Sequence, residues 1–242
     1  MYENLASVYE DIFPLKPLTL DFIRKCLRAP AEDSTILDVG CATGELCRAL
    51  AELGYPVVGV EPDREMVARA KILSNGDIPF YPVGMESVAS HFPESSFTAV
   101  LCLGNTLAHL PDSAAMNRFF TDVARLLVPG GRFLFQIVNF DRLSPDYLPG
   151  FPVIERTDIR FSRQYKWTEN YTALRFITTL ENLSDHSSQT GECRLSPAKK
   201  ADISETLLTS GFSNQKWFGS YKGDPFTPES PAAICVTKNS GE

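Results

Sequence analysis

Short runs of apolar residues alternate with amphipathic stretches along the first part of the chain. The apolar runs at 36–39, 57–60, 79–83, 97–103 and 132–138 have the length of strands. Between them, apolar residues recur at the three- and four-residue spacing of a helix that buries one face. Continuous apolar strands that alternate with helices are typical of a parallel sheet covered on both faces. The pattern therefore predicts an α/β fold.

Four helices of this region are predicted from their apolar faces and from the residues at their ends. The first covers Pro17–Leu27, and the second follows Gly44. Asp63 is placed to cap the third helix. The fourth carries apolar residues up to Leu127 and ends at the turn Pro129-Gly130-Gly131, before the fifth strand.

Between Asn139 and about Leu195, apolar and polar residues alternate with the period of a half-buried strand. Strands are predicted over 154–167, 172–180 and about 192–195, after a weakly structured stretch, and they form an antiparallel sheet. Apolar side chains occupy one face (Ile159, Phe161, Tyr165, Trp167) and charged ones the other (Arg156, Asp158, Arg160, Lys166). We expect the charged face to be solvated, with an acidic partner or a carboxylate substrate as the alternative.

The end of the chain returns to the first pattern. Ser196 and Pro197 predict the N-cap and first residue of a helix that ends before Gly211. Two final strands, at about 212–221 and 232–238, are joined by a loop rich in glycine and proline, which predicts a hairpin.

The stretch 36–45 predicts a ligand site. It combines a short strand that contains Asp38, a turn with Gly40 and Gly44, and the start of a helix. Such a turn lets the backbone approach a ligand that a Cβ would block, and helix N–H groups point into the same gap. The next strand ends at Glu61, whose carboxylate can accept hydrogen bonds from a ribose diol. These features predict a cofactor that contains adenosine.

The residues of the turn indicate which cofactor. A dinucleotide loop needs G-x-G-x-x-G, whereas this turn has Ala42 at the second glycine and Glu45 near the third, where a negative charge would repel phosphate. Asp38 is well placed to hold an ammonium group. S-adenosyl-L-methionine carries an amino acid in place of the pyrophosphate, so we expect this cofactor and no useful binding of NAD.

At these residues, the chain resembles the class I, seven-strand S-adenosylmethionine-dependent methyltransferases, whose first motif is acid-x-Gly-x-Gly/Ala-x-Gly. The resemblance covers about 34–138 and 196–238. It implies a seven-stranded, mostly parallel, doubly wound sheet with an antiparallel strand 7, plus an inserted antiparallel β cap after strand 5. The cofactor domain would then comprise 1–138 and 196–242, and the cap 139–195.

The resemblance also implies roles for single residues. Asp38 and the backbone of the glycine turn would hold the methionine moiety, and Glu61 the ribose. Met85 would pack on adenine, and Tyr9, in the start Tyr2-x6-Tyr9, would belong to an aromatic N-terminal lid. The full set of expected cofactor-binding residues is Tyr9, Asp38, Gly40, Cys41, Ala42, Gly44, Glu61, Pro62, Met85, Glu86, Leu103, Gly104 and Asn105.

The chain departs from the family pattern after strand three. Relatives commonly have Gly-Asp-Met there, and the aspartate accepts a hydrogen bond from the adenine amine. This chain has Gly84 in place of that acid. Glu86 could take over the contact, backbone carbonyls could do so, or adenine could be held less tightly. The alternative for Glu86 is an acid that merely favours a helix N-terminus.

Methyl transfer needs a general base only when the nucleophile arrives protonated. The run Gly104-Asn105-Thr106-Leu107-Ala108-His109-Leu110 resembles a segment of small-molecule N-methyltransferases and follows strand four, at the edge where ligands gather. His109, as base or orienting group, and Asn105 are the catalytic candidates. A structural histidine and a turn cap are the alternatives.

Composition excludes several classes of protein. The formal charge of −7 disfavours non-specific binding of nucleic acid. No apolar run reaches the length of a membrane span, and the acidic start is unlike a signal peptide, so we expect a cytoplasmic protein with no membrane partner. The six cysteines lack metal-ligand spacing, so we expect free thiols and no metal.

Our first hypothesis is a methyltransferase that acts on N or O of a small molecule. Aromatic residues of the inserted sheet could form the wall of its substrate pocket, and the alternative is that they are core between the sheet and the rest of the domain. The rival is a non-catalytic sensor or scaffold that binds the cofactor and uses the sheet as a partner or homodimer surface. Methylation of protein or RNA is a third alternative. It is weakened by the acidic charge and by Leu103-Gly104-Asn105-Thr106, where amino-group nucleic-acid enzymes have Asn/Asp-Pro-Pro-Tyr/Phe.

Overall fold

The computed structural model describes residues 5–31 and 33–241, and these contain eleven strands and seven α-helices. The strands are β1 (Ile36–Val39), β2 (Val57–Val60), β3 (Phe80–Tyr81), β4 (Phe97–Cys102), β5 (Leu127–Val138), β6 (Ile154–Glu155), β7 (Ile159–Trp167), β8 (Leu174–Asn182), β9 (Ser188–Leu195), β10 (Phe212–Phe218) and β11 (Ala232–Asn239). The helices are α1 (Tyr9–Ile12), α2 (Pro17–Cys26), α3 (Glu45–Glu52), α4 (Arg64–Leu73), α5 (Val88–His91), α6 (Ser113–Leu126) and α7 (Lys200–Thr209).

The main sheet has seven strands in the order β10-β11-β5-β4-β1-β2-β3. Its pairs are parallel except those of β11, which runs antiparallel to both β5 and β10. The predicted α/β fold with a reversed final strand is therefore confirmed. The chain leaves β1 toward β2 on one side and later returns to β4 on the other, and ligands bind at such a point in open α/β sheets.

Two apolar layers hold the helices against the sheet. On one face, α6 packs against β5 through an aromatic cluster in which the rings of Phe120 and Phe135 stack with centroids 5.9 Å apart. On the other face, α2 and α3 bury Ile23 and Leu50. All four strand residues of β1 are buried, so the strand that leads to the glycine turn is fixed on both faces.

Strands β6 to β9 form a second, antiparallel sheet. Phe161 and Tyr165 of β7 are buried, whereas Arg160 and Lys166 on its other face are exposed, as the alternation predicts. The sheet is tied to the main domain at both ends, since the Ser196 N–H donates to the Ala108 carbonyl (2.8 Å) and Arg156 Nε donates to a carbonyl of the N-terminal segment.

The predicted start of the last helix is wrong. Ser196 does not cap it, because its hydroxyl donates to the Pro111 carbonyl (2.7 Å) and so joins the loop after β4. The helix begins at Lys200, whose N–H donates to the carboxylate of Asp141 (3.1 Å). Its end was predicted correctly, since Gly211 follows with φ +87°.

Several strand boundaries also differ from the prediction. The third strand predicted for the second sheet begins at Ser188 because residues of low hydrophobicity such as Thr190 and Gly191 pair through their backbone with β8. The predicted strand 154–167 is two strands, since a turn after Glu155 lets Ile154 pair with Phe161. The next strand starts at Leu174 rather than at 172 because the Thr168 N–H donates to the Ala173 carbonyl, which closes a turn there.

The main sheet shows comparable shifts. Strand β3 is only two residues long because prolines flank it, and proline has no N–H for the ladder. The fourth helix ends at Leu126, before the predicted turn at Pro129-Gly130-Gly131, because Leu127 is extended and pairs with Phe97. Strand β5 therefore begins at Leu127 rather than at 132, and the predicted turn lies within it. The first helix of the prediction ends at Cys26, and strand β10 at Phe218, so that Tyr221 lies in the loop.

Among the described residues, none of the helices combines the length and the apolar character that crossing a membrane requires. All six cysteines are free thiols, four of them buried.

Candidate cofactor and substrate site

The glycine turn after β1 is held open by the end of β2. The N–H groups of Gly40 and Cys41 both donate to the Val60 carbonyl (2.8 and 3.1 Å). Gly40 has φ +75°, and a Cβ there would lie 2.6 Å from the side chain of Thr106, so only glycine fits. Ala42 also has a positive φ, 48°, which is uncommon for alanine. The turn thus keeps a strained shape at the mouth of the sheet.

Asp38 is a buried carboxylate beneath this turn. It is 4% exposed, and the Cys47 thiol donates a hydrogen bond to it (3.4 Å). None of the ion pairs among the described residues includes Asp38. Burial raises the pKa of Asp38 to about 7; the thiol hydrogen bond opposes this shift, and the charge of Glu61 adds to it. A cationic ligand group would supply the missing counter-charge.

Glu61 lies at the end of β2, next to the turn. Its Oε2 accepts the N–H of Ala42 and its Oε1 accepts the N–H of Asp63 (both 3.2 Å). Burial raises the pKa of Glu61, and these two hydrogen bonds oppose the shift. Each carboxylate oxygen can accept more than one hydrogen bond, so the fixed group still has acceptor capacity for two hydroxyl groups. Asp63 itself caps α4 by accepting the N–H groups of Glu65 and Met66, as predicted.

The residues after β3 are divided between core and surface. Met85 is buried in the main core, whereas Glu86 and Pro62 are exposed. A Cβ on Gly84 would lie 2.9 Å from Glu86 Oε2, so the glycine leaves space into which the Glu86 carboxylate folds. The expected contacts of these residues with adenine stay predictions.

The loop after β4 comes against the glycine turn, as the close approach of Thr106 to Gly40 demonstrates. Leu103 is half-buried and Gly104 is exposed at its start. Asn105 does not cap the following turn, because its Oδ1 accepts the N–H of Val138 (2.9 Å) and so joins β4 to the end of β5. His109, further along, is half-buried, and burial lowers its pKa. Its imidazole is therefore neutral at pH 7, the form that can accept a proton.

The N-terminal segment lies over the turn. Burial raises the pKa of the Tyr9 phenol, and the nearby charges of Glu61 and Asp38 raise it further. Tyr9 packs on Phe13 with ring centroids 5.2 Å apart. Tyr2, the other aromatic residue of the expected lid, lies outside the described residues.

Two acidic groups fasten this segment to the start of α3. Glu10 accepts hydrogen bonds from the Thr43 hydroxyl and from the Arg48 guanidinium (2.8 Å each). The carboxylate of Glu45 accepts the N–H of Leu15 (2.7 Å). The sequence predicted Glu45 only as a charge that repels phosphate. The structure adds that its carboxylate binds the backbone of the N-terminal segment at Leu15.

Sequence reasoning missed several groups at this site. Neither Thr106, which contacts Gly40, nor Glu10 was singled out. Tyr221 was also missed; burial raises the pKa of its phenol, and the negative charge of Asp38 raises it further. Arg163, on the inward face of β7, was also missed. Its signal was present, because it has the same parity along the strand as Phe161 and Tyr165.

Comparison with known proteins agrees with this geometry. Residues 37–135 match the family described as methyltransferase domain. A ubiquinone biosynthesis O-methyltransferase from Paracidovorax citrulli is 34% identical over 140 residues, which cover 56% of this chain and 56% of the relative. The chain therefore spans little more than half the length of that curated relative.

Solved structures match over nearly the whole chain. The CcbJ methyltransferase from Streptomyces caelestis has a TM-score of 0.80 at 20% identity, covering 98% of this chain and 96% of that one. The S-adenosylmethionine-bound structure of CalS10, an amino pentose methyltransferase from Micromonospora echinaspora, has a TM-score of 0.72 at 18% identity and covers 96% of each chain. The fold is therefore the Rossmann-like fold of these methyltransferase structures, and residues 37–135 are similar to the methyltransferase domain family.

Proposed function

We propose that this protein transfers the methyl group of S-adenosylmethionine to an N or O atom of a small molecule. The observation that carries the proposal is the pair of carboxylates, Asp38 and Glu61, at the ends of neighbouring strands on either side of a glycine turn. One is buried without a cationic partner in the described part of the chain, and the other is fixed by two backbone N–H groups. This pair of acceptors fits an ammonium group and a ribose diol, both of which donate hydrogen bonds.

The residues of the site fit this cofactor in their chemistry. Asp38 would pair with the ammonium group, Glu61 would accept the ribose hydroxyls, and the turn from Gly40 to Gly44 would lie along the methionine moiety. A Cβ at Gly40 would fill space that the turn needs. When bound, the cofactor supplies an electrophilic methyl group on a sulfonium, and the protein's contribution is then mainly alignment and exclusion of water.

The chain's own residues would provide both contributions. The N-terminal segment, fastened by Glu10 to Thr43 and Arg48, would keep water from the mouth of the turn. Asn105, held by the backbone of Val138, fixes the loop on the donor side. His109, whose neutral form is favoured because burial lowers its pKa, is the candidate to accept the proton of a hydroxyl group or of a protonated amine, which then attacks as the alkoxide or the free amine.

We further propose that residues 139–195 act as the substrate cap of a cofactor-binding domain formed by 1–138 and 196–242. The inward face of the second sheet is aromatic and reaches the N-terminal segment, since Phe161 packs edge-on against Phe13 with centroids 5.5 Å apart. Its far end joins the loop after β4 through Ser196. A substrate between turn and sheet would therefore meet aromatic walls, which suit an amine cation or an apolar ring.

Calorimetry with S-adenosylmethionine, S-adenosylhomocysteine and NAD tests the cofactor. We expect micromolar-range binding of the first two and no useful binding of NAD. Tighter binding of NAD would contradict the proposal. Release of S-adenosylhomocysteine with a panel of amines and hydroxyl compounds then tests turnover, and cofactor binding without any turnover would favour a sensor or scaffold instead.

A further inference from the structure

Arg163 is a charged residue on the inward, aromatic face of β7. It lies between Phe161 and Tyr165 on that face, in the register position opposite Thr178 of β8. A charge among apolar side chains is costly unless it is paired or hydrogen-bonded. The guanidinium charge of Arg163 therefore needs a partner, either from the chain or from a ligand.

Within the described part of the chain, three rings and one carbonyl contact the guanidinium of Arg163, and no carboxylate forms an ion pair with it. Its guanidinium carbon lies 5.0, 5.5 and 5.9 Å from the ring centroids of Phe151, Phe13 and Phe161. One amino group donates to the Pro152 carbonyl over 3.4 Å, a long hydrogen bond. Nε is buried and has no hydrogen-bond partner, the sole side-chain atom of this kind within the described ranges. Burial lowers the pKa of Arg163, which stays charged all the same.

Arg160, three residues earlier on the same strand, is an arginine whose charge is paired within the protein. It lies on the exposed face and pairs with Glu155 (2.7 Å) and Glu181 (3.2 Å). Arg175 on β8 is likewise paired, with Glu192. Arg160 and Arg175 are thus satisfied by carboxylates of the chain itself, whereas the exposed Arg156 and Arg194 donate to backbone carbonyls. None of the ion pairs found in residues 5–31 and 33–241 includes Arg163.

Arg163 also lies beside the cofactor site. The ring of Phe13, which lies beside the guanidinium, packs on Tyr9. The nearby charges of Glu61 and Asp38 raise the pKa of Tyr9. The rings of Phe13 and Phe161 belong to the same apolar cluster as Ala42 of the glycine turn. A group bound at Arg163 would therefore adjoin the proposed methyl-transfer site.

We propose that Arg163 is a specificity-determining residue that binds an oxyanion, a carboxylate or a phosphate, of the methyl-accepting substrate. The planar guanidinium offers paired N–H donors that match such a group, and three aromatic rings flank it on the half-buried side chain. The inference rests on the proposed function, because the anion belongs to the substrate of that same site.

The test uses the full chain saturated with S-adenosylhomocysteine and three aromatic probes. Benzoate and phenyl phosphate carry the oxyanion, and benzyl alcohol is the neutral counterpart. The wild-type protein should bind at least one anionic probe about tenfold or more tightly than the alcohol. Arg163→Met, which keeps the apolar stem, should weaken that anion by about 30-fold or more, while benzyl alcohol stays within about twofold. Arg163→Lys should retain part of the preference, and Arg160→Met is the matched control that should change neither.

Three outcomes overturn the inference. In the first, the wild type shows no preference for either anion; in the second, Arg163→Met keeps the wild-type preference. In the third outcome, Arg163→Met weakens S-adenosylhomocysteine itself, which would assign the guanidinium to the cofactor's carboxylate. Should Arg163→Met fail to fold, as judged by circular dichroism, Arg163→Lys decides through the same ratio of affinities. Absence of S-adenosylhomocysteine binding to the wild type would instead contradict the proposed function, so the two failures are distinguishable.

Discussion

Asp38 should make cofactor binding depend on pH. Burial, opposed by the Cys47 hydrogen bond and helped by the charge of Glu61, raises the pKa of Asp38 to about 7. Only the ionised carboxylate pairs with an ammonium group. Below pH 7, a ligand with such a group must displace a proton from Asp38, so its affinity should fall as the pH falls.

The size of this effect follows from the population of the ionised form. With a pKa of about 7, Asp38 is ionised in about one tenth of the molecules at pH 6 and in about nine tenths at pH 8. Apparent affinity scales with the competent fraction, so the Kd for S-adenosylhomocysteine should be about tenfold higher at pH 6 than at pH 8. This corresponds to about 1.4 kcal/mol.

The same pKa has a consequence for the stability of the ligand-free protein. Because the folded state holds the Asp38 proton more tightly than the unfolded state, this contribution to stability is fully present below about pH 4 and is lost as the pH rises through 7. A pKa of about 7, against the ordinary 3.8, corresponds to at most about 4 kcal/mol in the free energy of unfolding. In Asp38→Asn, the free energy of unfolding should no longer fall because of this group as the pH rises through 7.

Calorimetric titration with S-adenosylhomocysteine at pH 6, 7 and 8 measures the affinity, and two buffers of different ionisation heat give the protons released. We expect about 0.9 proton per ligand at pH 6 from Asp38, and a flatter profile in Asp38→Asn. Glu61→Gln is the matched control for the second carboxylate and should keep most of the slope. Equal affinity of the wild type at pH 6 and 8, or a wild-type slope in Asp38→Asn, would refute the reasoning.

Three further predictions concern the ribose contact, the glycine turn and the cap. Glu61→Ala should weaken cofactor binding by about 2–4 kcal/mol in calorimetry with the fold intact, and unchanged affinity would mean that the diol is held elsewhere. Gly40→Ala adds a clash with Thr106 to an unfavourable φ, so urea unfolding should reveal a loss of about 2–5 kcal/mol in the free energy of unfolding. Gly104→Ala has a similar positive φ but open space around the new Cβ, so its loss should be only about 1–2 kcal/mol. Tyr165→Ala should raise the substrate KM with cofactor affinity and light scattering unchanged, whereas a dissociated assembly would favour a dimer interface.

Much of the fold could be predicted because its signals are local. An apolar run, an acid and glycines in the stretch 36–45 are enough to predict strand, turn and helix, and the turn needs glycine where φ is positive, as at Gly40. The alternation in 159–167 likewise predicts which face of β7 is buried. The candidate residues Asp38 and Glu61 could be found in the same way, because each ends or nearly ends an apolar strand and such ends meet at one edge of a parallel sheet.

Boundaries failed where a distant residue decides them. Ser196 looks like a cap in isolation, yet its hydroxyl is engaged by Pro111, and the N–H of Lys200 is satisfied by Asp141, 59 positions away. The polar half of β9 carries no alternation, and only its pairing with β8 makes it a strand. Hydrogen bonds of this kind depend on which segments meet, and a local pattern does not contain that information.

The sequence by itself determined the order of strands and helices, the glycine turn and the kinds of residues around it. The tertiary structure alone decided the state of those residues. Asp38 is buried, which raises its pKa to about 7, and Glu10 binds Arg48. Arg163 lies among aromatic rings and forms no ion pair with another described residue. The physical reason is that solvation and charge pairing are properties of a residue's neighbours in space. Here those neighbours come from the N-terminal segment, the main sheet and the second sheet, which the chain brings together only on folding.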